Sequence, residues 1–501
     1  MPRAHLTLDP AFPIGPVRRR LFGGFVEHLG RHVYDGIHEP GHPTAGPDGF
    51  RRDVVELVRE LGVSTIRYPG GNFVSGYNWE DGVGPVEQRP RRLDLAWHST
   101  ETNQVGLHEF QDWLDLVGSD LMLAVNLGTR GMPEALELLE YANTTSGTAR
   151  SEQRATNGRQ DPFGVEMWCL GNEMDGAWQL GHRDATDYGK LAAMTARAMK
   201  QLDRNLKLVV CGSSNRDMPT FGAWERIVLE HTYDDVDLIS CHAYYEEHDG
   251  DLASFLASGT DMDAFIDSVV ATADHVRAVK RAEKRIEISF DEWNVWYHSK
   301  WATVEKEFAP DDWPVAPRLL EDVYSVADAV TVGGLLISLL NHADRVASAS
   351  LAQLVNVIGP IMTEPGGDAW RQTTFYPFSL TSRAAQGTAL RVALDADATP
   401  TARFGEVPVV SAAATTDGDG ISLFLQNRDT ASPTTVTVDL SAFGRLSTVT
   451  ASGIWDEDPY AVNDLANQNR VTPRTNETAA LSGSTLTIEL PAVSWTVVTI
   501  S

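Results

Sequence analysis

Short apolar runs alternate with stretches of helical periodicity over about 320 residues of this chain, and few folds satisfy that pattern. The runs fall at residues 21–28, 63–72, 121–126, 167–173, 206–212, 236–244, 286–292 and 332–341. Apolar residues at helical spacing fill most of the gaps, at 50–61, 107–117, 132–142, 185–202, 221–230, 262–279 and 313–330. Runs this short, with little alternation, read as strands buried on both faces, the kind a parallel sheet uses. Eight of them with helical crossovers predict an α/β chain built on a (β/α)8 TIM barrel rather than an open doubly wound sheet. An open sheet would want a glycine-rich phosphate loop after its first strand, and Phe22-Gly-Gly-Phe does not fit one.

After residue 385 the helical period disappears. Alternating runs such as Thr434-Thr-Val-Thr-Val-Asp-Leu and Ser494-Trp-Thr-Val-Val-Thr-Ile, separated by Asp/Gly/Ser/Pro turns, predict an antiparallel β-sandwich. The expected division is therefore a barrel over residues 18–384 and a sandwich over 385–501, the latter joined by residues 1–17, whose Leu6-Thr-Leu reads as a strand. The 501 residues carry 41 basic and 69 acidic side chains, a net charge of -28 that repels nucleic acid and anionic membranes and favours a neutral ligand. The first residues have no signal-like apolar core and the longest apolar run is too short to span a bilayer, so a cytoplasmic protein is expected. Cys169, Cys211 and Cys241 have no zinc-like spacing and read as reduced core residues, with no metal and no cofactor expected.

In a barrel of this kind the chemistry sits at the carboxyl ends of the strands. Here those ends carry Glu27, Arg67, Asn72, Asn126, Asn172, Glu173, Ser213, Ser214, His242, Tyr244, Glu292, Asn341 and His342. Two stretches match in form: Glu166-Met-Trp-Cys-Leu-Gly-Asn-Glu-Met-Asp-Gly176 delivers Glu173, and Arg285-Ile-Glu-Ile-Ser-Phe-Asp-Glu-Trp-Asn294 delivers Glu292. Two carboxyl groups facing each other in a cleft for a neutral ligand suit glycoside hydrolysis, in which one protonates the leaving oxygen and the other attacks the anomeric carbon or activates water. Asn172 can hydrogen-bond a sugar hydroxyl, Trp178 can form a stacking wall, and His242 and Tyr244 can hydrogen-bond a carboxylate and keep it ionised.

Trp168-Cys-Leu-Gly-Asn-Glu-Met-Asp-Gly, Arg67-Tyr-Pro-Gly-Gly-Asn-Phe and Gln353-Leu-Val-Asn-Val-Ile resemble the signatures of family 51 glycoside hydrolases, whose commonest activity is α-L-arabinofuranosidase. The similarity runs from Phe22-Gly-Gly-Phe-Val-Glu-His to Trp370-Arg-Gln-Thr-Thr-Phe-Tyr-Pro-Phe and resumes weakly in the closing strands. The resemblance implies a catalytic barrel with a jelly-roll-like sandwich, a retaining double displacement, Glu173 as acid/base and Glu292 as nucleophile. It implies sugar-binding roles for Glu27, Arg67, Asn72, Asn172, Tyr244 and Gln353, and stacking walls at Trp97 and Trp178. Trp296 is placed near the site by position alone, with rigid packing as its other reading. Exo action on arabinoxylan- or arabinan-derived oligosaccharides and a homo-oligomer, often a hexamer, complete the implied picture. Endo-β-1,4-glucanases and β-xylosidases share the pattern and form the nearest alternative, and a non-catalytic carbohydrate-binding protein is a more distant one.

Overall fold

The computed structural model describes residues 1–305, 309, 311–444 and 446–501. Eight parallel strands close into a barrel: β1 (Gly23–Phe25), β2 (Thr65–Tyr68), β3 (Asp120–Val125), β4 (Met167–Leu170), β5 (Lys207–Val210), β6 (Leu238–Tyr245), β7 (Glu287–Val295) and β8 (Val346–Ala352). Each pairs with its successor in chain order, and β8 returns to β1. Met122, Ala124, Met167, Cys169, Val209, Leu238 and Ala347 fill the barrel beneath the carboxyl ends of its strands, so the interior is a packed layer rather than a pore.

The helices between strands lie close to the predicted bounds, and two reproduce them: Leu107–Val117 and Ala185–Leu202. The first ends where Gly118 turns left-handed at φ 80°, a conformation that costs glycine little. The helix Arg52–Leu61 ends in the same way at Gly62, φ 82°.

The eighth strand departs from the sequence expectation. Residues 332–341, expected as a strand, belong to the helix Val326–Asn341, and the helix expected over 313–330 begins only at Val326. That helix is buried on nearly every side, packed between barrel and sandwich, so it shows no polar face from which a helical period could be read. Its start is nonetheless marked in the sequence by a capping box: Ser325 Oγ accepts from the Asp328 backbone N–H while Asp328 Oδ2 accepts from the Ser325 N–H at 2.6 Å. The true strand, Val-Ala-Ser-Ala-Ser-Leu-Ala, carries a weak hydrophobic signal because it is built from small side chains. In consequence Asn341 and His342 precede β8 and lie at the opposite end of the barrel from the site. Asn341 donates to the Ala412 carbonyl of the sandwich, and His342 bonds the Ser338 carbonyl.

Nine of the closing strands and one leading strand form a ten-stranded sheet. Strands near its two ends, Val449–Ile454 and Ser494–Ile500 on one side and Thr434–Asp439 and Thr485–Leu490 on the other, share one apolar core, so the sheet folds over itself as a sandwich. The leading segment is longer than its Leu6-Thr-Leu kernel. Arg3–Pro16 lies within the sheet, antiparallel to Thr388–Ala396 and parallel to Thr434–Asp439.

The junction between barrel and sandwich requires small residues. A Cβ on Gly333 would lie 2.2 Å from Cδ1 of the fully buried Trp495. Gln426 reaches across to donate to the Leu256 and Val330 carbonyls. Gly333→Ala gains helix propensity but forces the indole out of place, and overpacking of this kind costs more than the gain. A net loss of about 1–2 kcal/mol is expected, with activity per folded molecule unchanged, as read by urea unfolding alongside an activity assay.

Candidate active site

The site rests on Arg67, at the inner face of β2 and fully buried. Its Nη1 donates to Glu292 Oε1 at 2.7 Å and its Nη2 to Asn172 Oδ1 at 2.7 Å, while its Nε lies 3.8 Å from Asp291 Oδ2. The guanidinium also stacks over the Phe25 ring of β1 at 4.8 Å. The turn after β2 comes so close that a Cβ on Gly71 would sit 2.9 Å from Glu292 Oε1 and 3.3 Å from Asn172 Nδ2. Glycine is needed there for approach, not for flexibility.

Asn172 and Glu173 follow β4 through Gly171 at φ 91°, and Glu173 itself stands at φ 41°, a left-handed backbone that a glutamate adopts only where its surroundings enforce it. Asn172 Nδ2 donates to Gln179 Oε1 at 3.2 Å, and Gln179 Nε2 is tied in turn to Ser75 Oγ. The two oxygens of Glu173 have different partners. Oε1 faces His242 Nδ1 at 2.9 Å, and Oε2 accepts from Trp178 Nε1 at 2.7 Å.

Glu292 owes its position to a β-bulge. Along β7 and β6 the register runs Ser289 opposite Ser240 and then Glu292 opposite His242, three steps against two. The extra residue lets both Asp291 and Glu292 turn inward, which an unbroken strand with its alternating side chains forbids. Tyr244 OH donates to Glu292 Oε2 at 2.8 Å, and His242 Nε2 lies 3.0 Å from Asp291 Oδ1. His242 Nδ1 is also 3.6 Å from Glu292 Oε2.

The charges balance. Burial disfavours the His242 imidazolium, but the charges of Glu292 and Asp291 and the hydrogen bond to Glu173 raise its pKa from 6.5 to about 10. Because the folded pKa exceeds the ordinary one, this group stabilises the fold fully below about pH 6.5, and that contribution drains away as pH rises towards about 10. Burial pushes Asp291 up, yet Arg67 and His242 outweigh it and hold its carboxyl below the usual range. Burial likewise raises Glu292, with Glu173 adding repulsion and His242 and Arg67 opposing. Glu173, His242 and Glu292 each bring a donor atom within 4.8 Å of the others.

Glu27, after β1, makes a second buried anchor. Its Oε1 accepts from the Phe73 N–H at 2.9 Å and from Trp97 Nε1 at 3.0 Å, and its Oε2 accepts from Gln353 Nε2 at 3.2 Å. Burial nevertheless pushes its pKa up to about 7. Gln353 is fixed in orientation by its Oε1, which accepts from the Glu27 backbone N–H at 3.2 Å and meets His32 Nδ1. Burial lowers His32 to about 3, so its neutral ring donates through Nδ1.

Of the residues expected from sequence, Glu173, Glu292, Arg67, Asn172, Tyr244, Trp178 and His242 are thus linked in one polar network, and Glu27, Trp97 and Gln353 in a second. Asn72 is half-buried just after the Gly70-Gly71 turn. Trp296 meets the Tyr244 ring edge-on at 5.0 Å. Asn126 and Ser214 brace loops instead, through Thr129 and Asp175. Sequence reasoning missed Asp291, Gln179, His32 and Gly71. Asp291 stands beside Glu292 in the sequence, and the alternation of an unbroken strand would turn it to the other face.

Two family models match this chain, the α-L-arabinofuranosidase 1 domain over residues 57–253 and the α-L-arabinofuranosidase C-terminal domain over residues 291–494. An exo-α-(1→6)-L-arabinofuranosidase of Bifidobacterium longum is 57% identical over 99% of this chain and 97% of its own length. The chain belongs to glycoside hydrolase family 51. An intracellular exo-α-(1→5)-L-arabinofuranosidase of Streptomyces lividans is also 57% identical, over 99% of this chain and 75% of its own. A solved family 51 α-L-arabinofuranosidase from Bifidobacterium longum superposes with a TM-score of 0.96 at 47% identity, covering both chains fully. Among the described residues no helix is long and apolar enough to cross a membrane.

Arg67 is the cation on which this family 51 site depends, because removing it strands Asp291 and Glu292 in the interior. Arg67→Met is expected to lose about 3–5 kcal/mol of stability along with nearly all activity, as measured by urea unfolding and aryl-glycoside hydrolysis.

Proposed function

We propose that this protein is a retaining, exo-acting α-L-arabinofuranosidase that removes terminal non-reducing arabinofuranosyl residues from arabinan- or arabinoxylan-derived oligosaccharides, without a metal or other cofactor. One observation carries the mechanism: carboxylate oxygens of Glu173 and Glu292 lie within 4.8 Å. Retaining glycosidases hold their carboxyl groups about 5–5.5 Å apart, whereas inverting enzymes need about 6.5–9.5 Å to admit a water.

Glu292 attacks the anomeric carbon as the bond to the leaving oxygen breaks, and that oxygen takes the proton of Glu173. An arabinosyl ester on Glu292 results. Glu173, now a carboxylate, removes a proton from water. The hydroxyl attacks the anomeric carbon from the vacated side, the ester bond breaks, and Glu292 is released with configuration retained. Arg67 and Tyr244 hold the nucleophile in line, and Glu27, Asn72, Asn172 and Gln353 present donors and acceptors to the sugar hydroxyls. Trp97 and Trp178 offer ring faces to the sugar and its neighbours. Exo action and the arabinose-containing substrates follow the two relatives named above, whose equal identity but different linkages make (1→5) against (1→6) a matter for assay. A cytoplasmic location follows the intracellular naming of one relative. A homo-oligomer, a hexamer by family resemblance, completes the proposal.

On arabino-oligosaccharides free arabinose should appear from the first minutes; internal fragments preceding it would overturn exo action. The roles of the two carboxylates separate by stereochemistry. Glu292→Ala is expected to lose nearly all turnover with every leaving group. Glu173→Ala should keep forming the ester from an activated nitrophenyl substrate and fail on natural sugars. Azide should rescue Glu173→Ala to give an arabinosyl azide of retained configuration, and any rescue of Glu292→Ala should give the inverted one. Exchange of those two products between the variants would reverse the roles.

A further inference from the structure

Glu173 can serve as acid only if its proton rides on the oxygen that faces the leaving group. Its two oxygens are not alike. Oε2 looks towards the cleft, where its partner Trp178 is 52% exposed. Oε1 looks into the barrel at His242 Nδ1, 2.9 Å away, and His242 is itself buried. Across the ring, Nε2 meets Asp291 Oδ1 at 3.0 Å, and the bulge in β7 turns Asp291 inward to make that contact. A neutral imidazole donating through Nε2 to Asp291 would present a bare Nδ1 to Glu173 and draw the acid's proton inward, away from any substrate. A doubly protonated imidazole donates on both sides and forbids that arrangement.

We propose that His242, pinned by Asp291, is the positioning residue that reserves the inner oxygen of Glu173 as an acceptor and so confines the catalytic proton to Oε2. The inference rests on the reading of Glu173 as the acid/base. It accounts for why Asp291 is turned inward beside the nucleophile, where it meets His242 and Arg67 and has no evident part in either displacement. The raised basicity of His242 keeps Nδ1 a donor across neutral pH. The groups facing the imidazole from each surrounding strand agree with this. From β4 and its end come Glu173 and Cys169, the latter 3.7 Å from Asp291, and from β7 come Asp291 and Glu292. From β2, Arg67 neutralises Asp291 and Glu292 without touching Glu173. Tyr244, two residues along the same strand, is engaged by Glu292, Glu27 lies beyond Glu292, and the Cys211 thiol after β5 is held neutral by burial, its pKa pushed up to about 12. When the sugar esterifies Glu292, the secondary 3.6 Å contact of Nδ1 loses its charge and the N–H belongs to Glu173 alone, which leaves the lone pair of Oε2 not engaged by Trp178 to take the proton of the attacking water.

His242→Gln keeps a donor of similar reach but removes the cation. Both limbs of the kcat/KM profile against pH should move upward by about one unit, because each carboxylate loses a neighbouring positive charge. The ratio of activity on a nitrophenyl arabinofuranoside to that on an arabino-disaccharide should rise by about tenfold or more, since only the sugar leaving group needs a well-placed proton. Asp291→Asn, nearly isosteric, should raise the same ratio and provides the decision if His242→Gln does not fold by circular dichroism. An unmoved pH profile with equal losses on both substrates in His242→Gln would overturn the proposal, as would an unchanged ratio in Asp291→Asn. The azide stereochemistry of Glu173→Ala decides the role of Glu173 separately, so retained azide together with an unmoved profile sinks the positioning role alone.

Discussion

The buried contact between the Arg67 guanidinium and the Glu292 carboxylate is the interaction on which the rest of the site depends. Ions taken out of water cost several kcal/mol each unless charge and hydrogen bonds are returned to them. Around the barrel axis the return is nearly complete: Arg67 and His242 stand against Asp291 and Glu292, and every oxygen of Glu292 and Glu173 has a donor. Such a set of groups cannot relax far without uncovering a charge. The geometry a substrate meets is therefore set in advance, which is the condition for electrostatic stabilisation of a developing transition state.

Beneath that charged layer the barrel is plain packing. Methionine, alanine, valine, leucine and one cysteine fill the interior below the mouth, and the polar layer rests on them. The polarity of the mouth arises at strand ends, where the chain leaves the sheet through Gly70-Gly71 and Gly171 and can bring side chains to the axis at irregular heights. Two glutamates that are alike as amino acids become unlike by environment. Glu292 has an arginine and a tyrosine as partners; Glu173 has a histidine on one oxygen and a half-exposed indole on the other.

Outside the barrel, the sandwich covers an apolar helix that no solvent-facing pattern betrays. Val326–Asn341 is apolar all round because it has the barrel on one side and the sandwich on the other. The long leading strand, inserted between strands from the far end of the chain, closes the sandwich and ties residues about 430 apart in sequence into one sheet. The two parts of the molecule share a packed boundary at Gly333, Gly334, Gln426 and Trp495.

Much of the fold is legible in the sequence alone. Seven of the eight barrel strands, most of the helices, the sandwich and its N-terminal strand follow from period and turn chemistry, since burial on both faces or on one writes itself directly into residue choice. Glu173 and Glu292 can be named because each ends an apolar run at the catalytic end of a barrel. The eighth strand cannot be placed by hydrophobicity, as its alanines and serines look weaker than the buried helix before it, although Ser325 and Asp328 mark where that helix begins. The inward turn of Asp291 depends on one extra residue in the pairing of β7 with β6, and register is a property of two strands, never of one. The partners of His242 and the orientation of Gln353 are likewise contacts between residues tens or hundreds of positions apart. Local pattern determines which elements form and which end of them is polar; only closure of the barrel decides which charges meet.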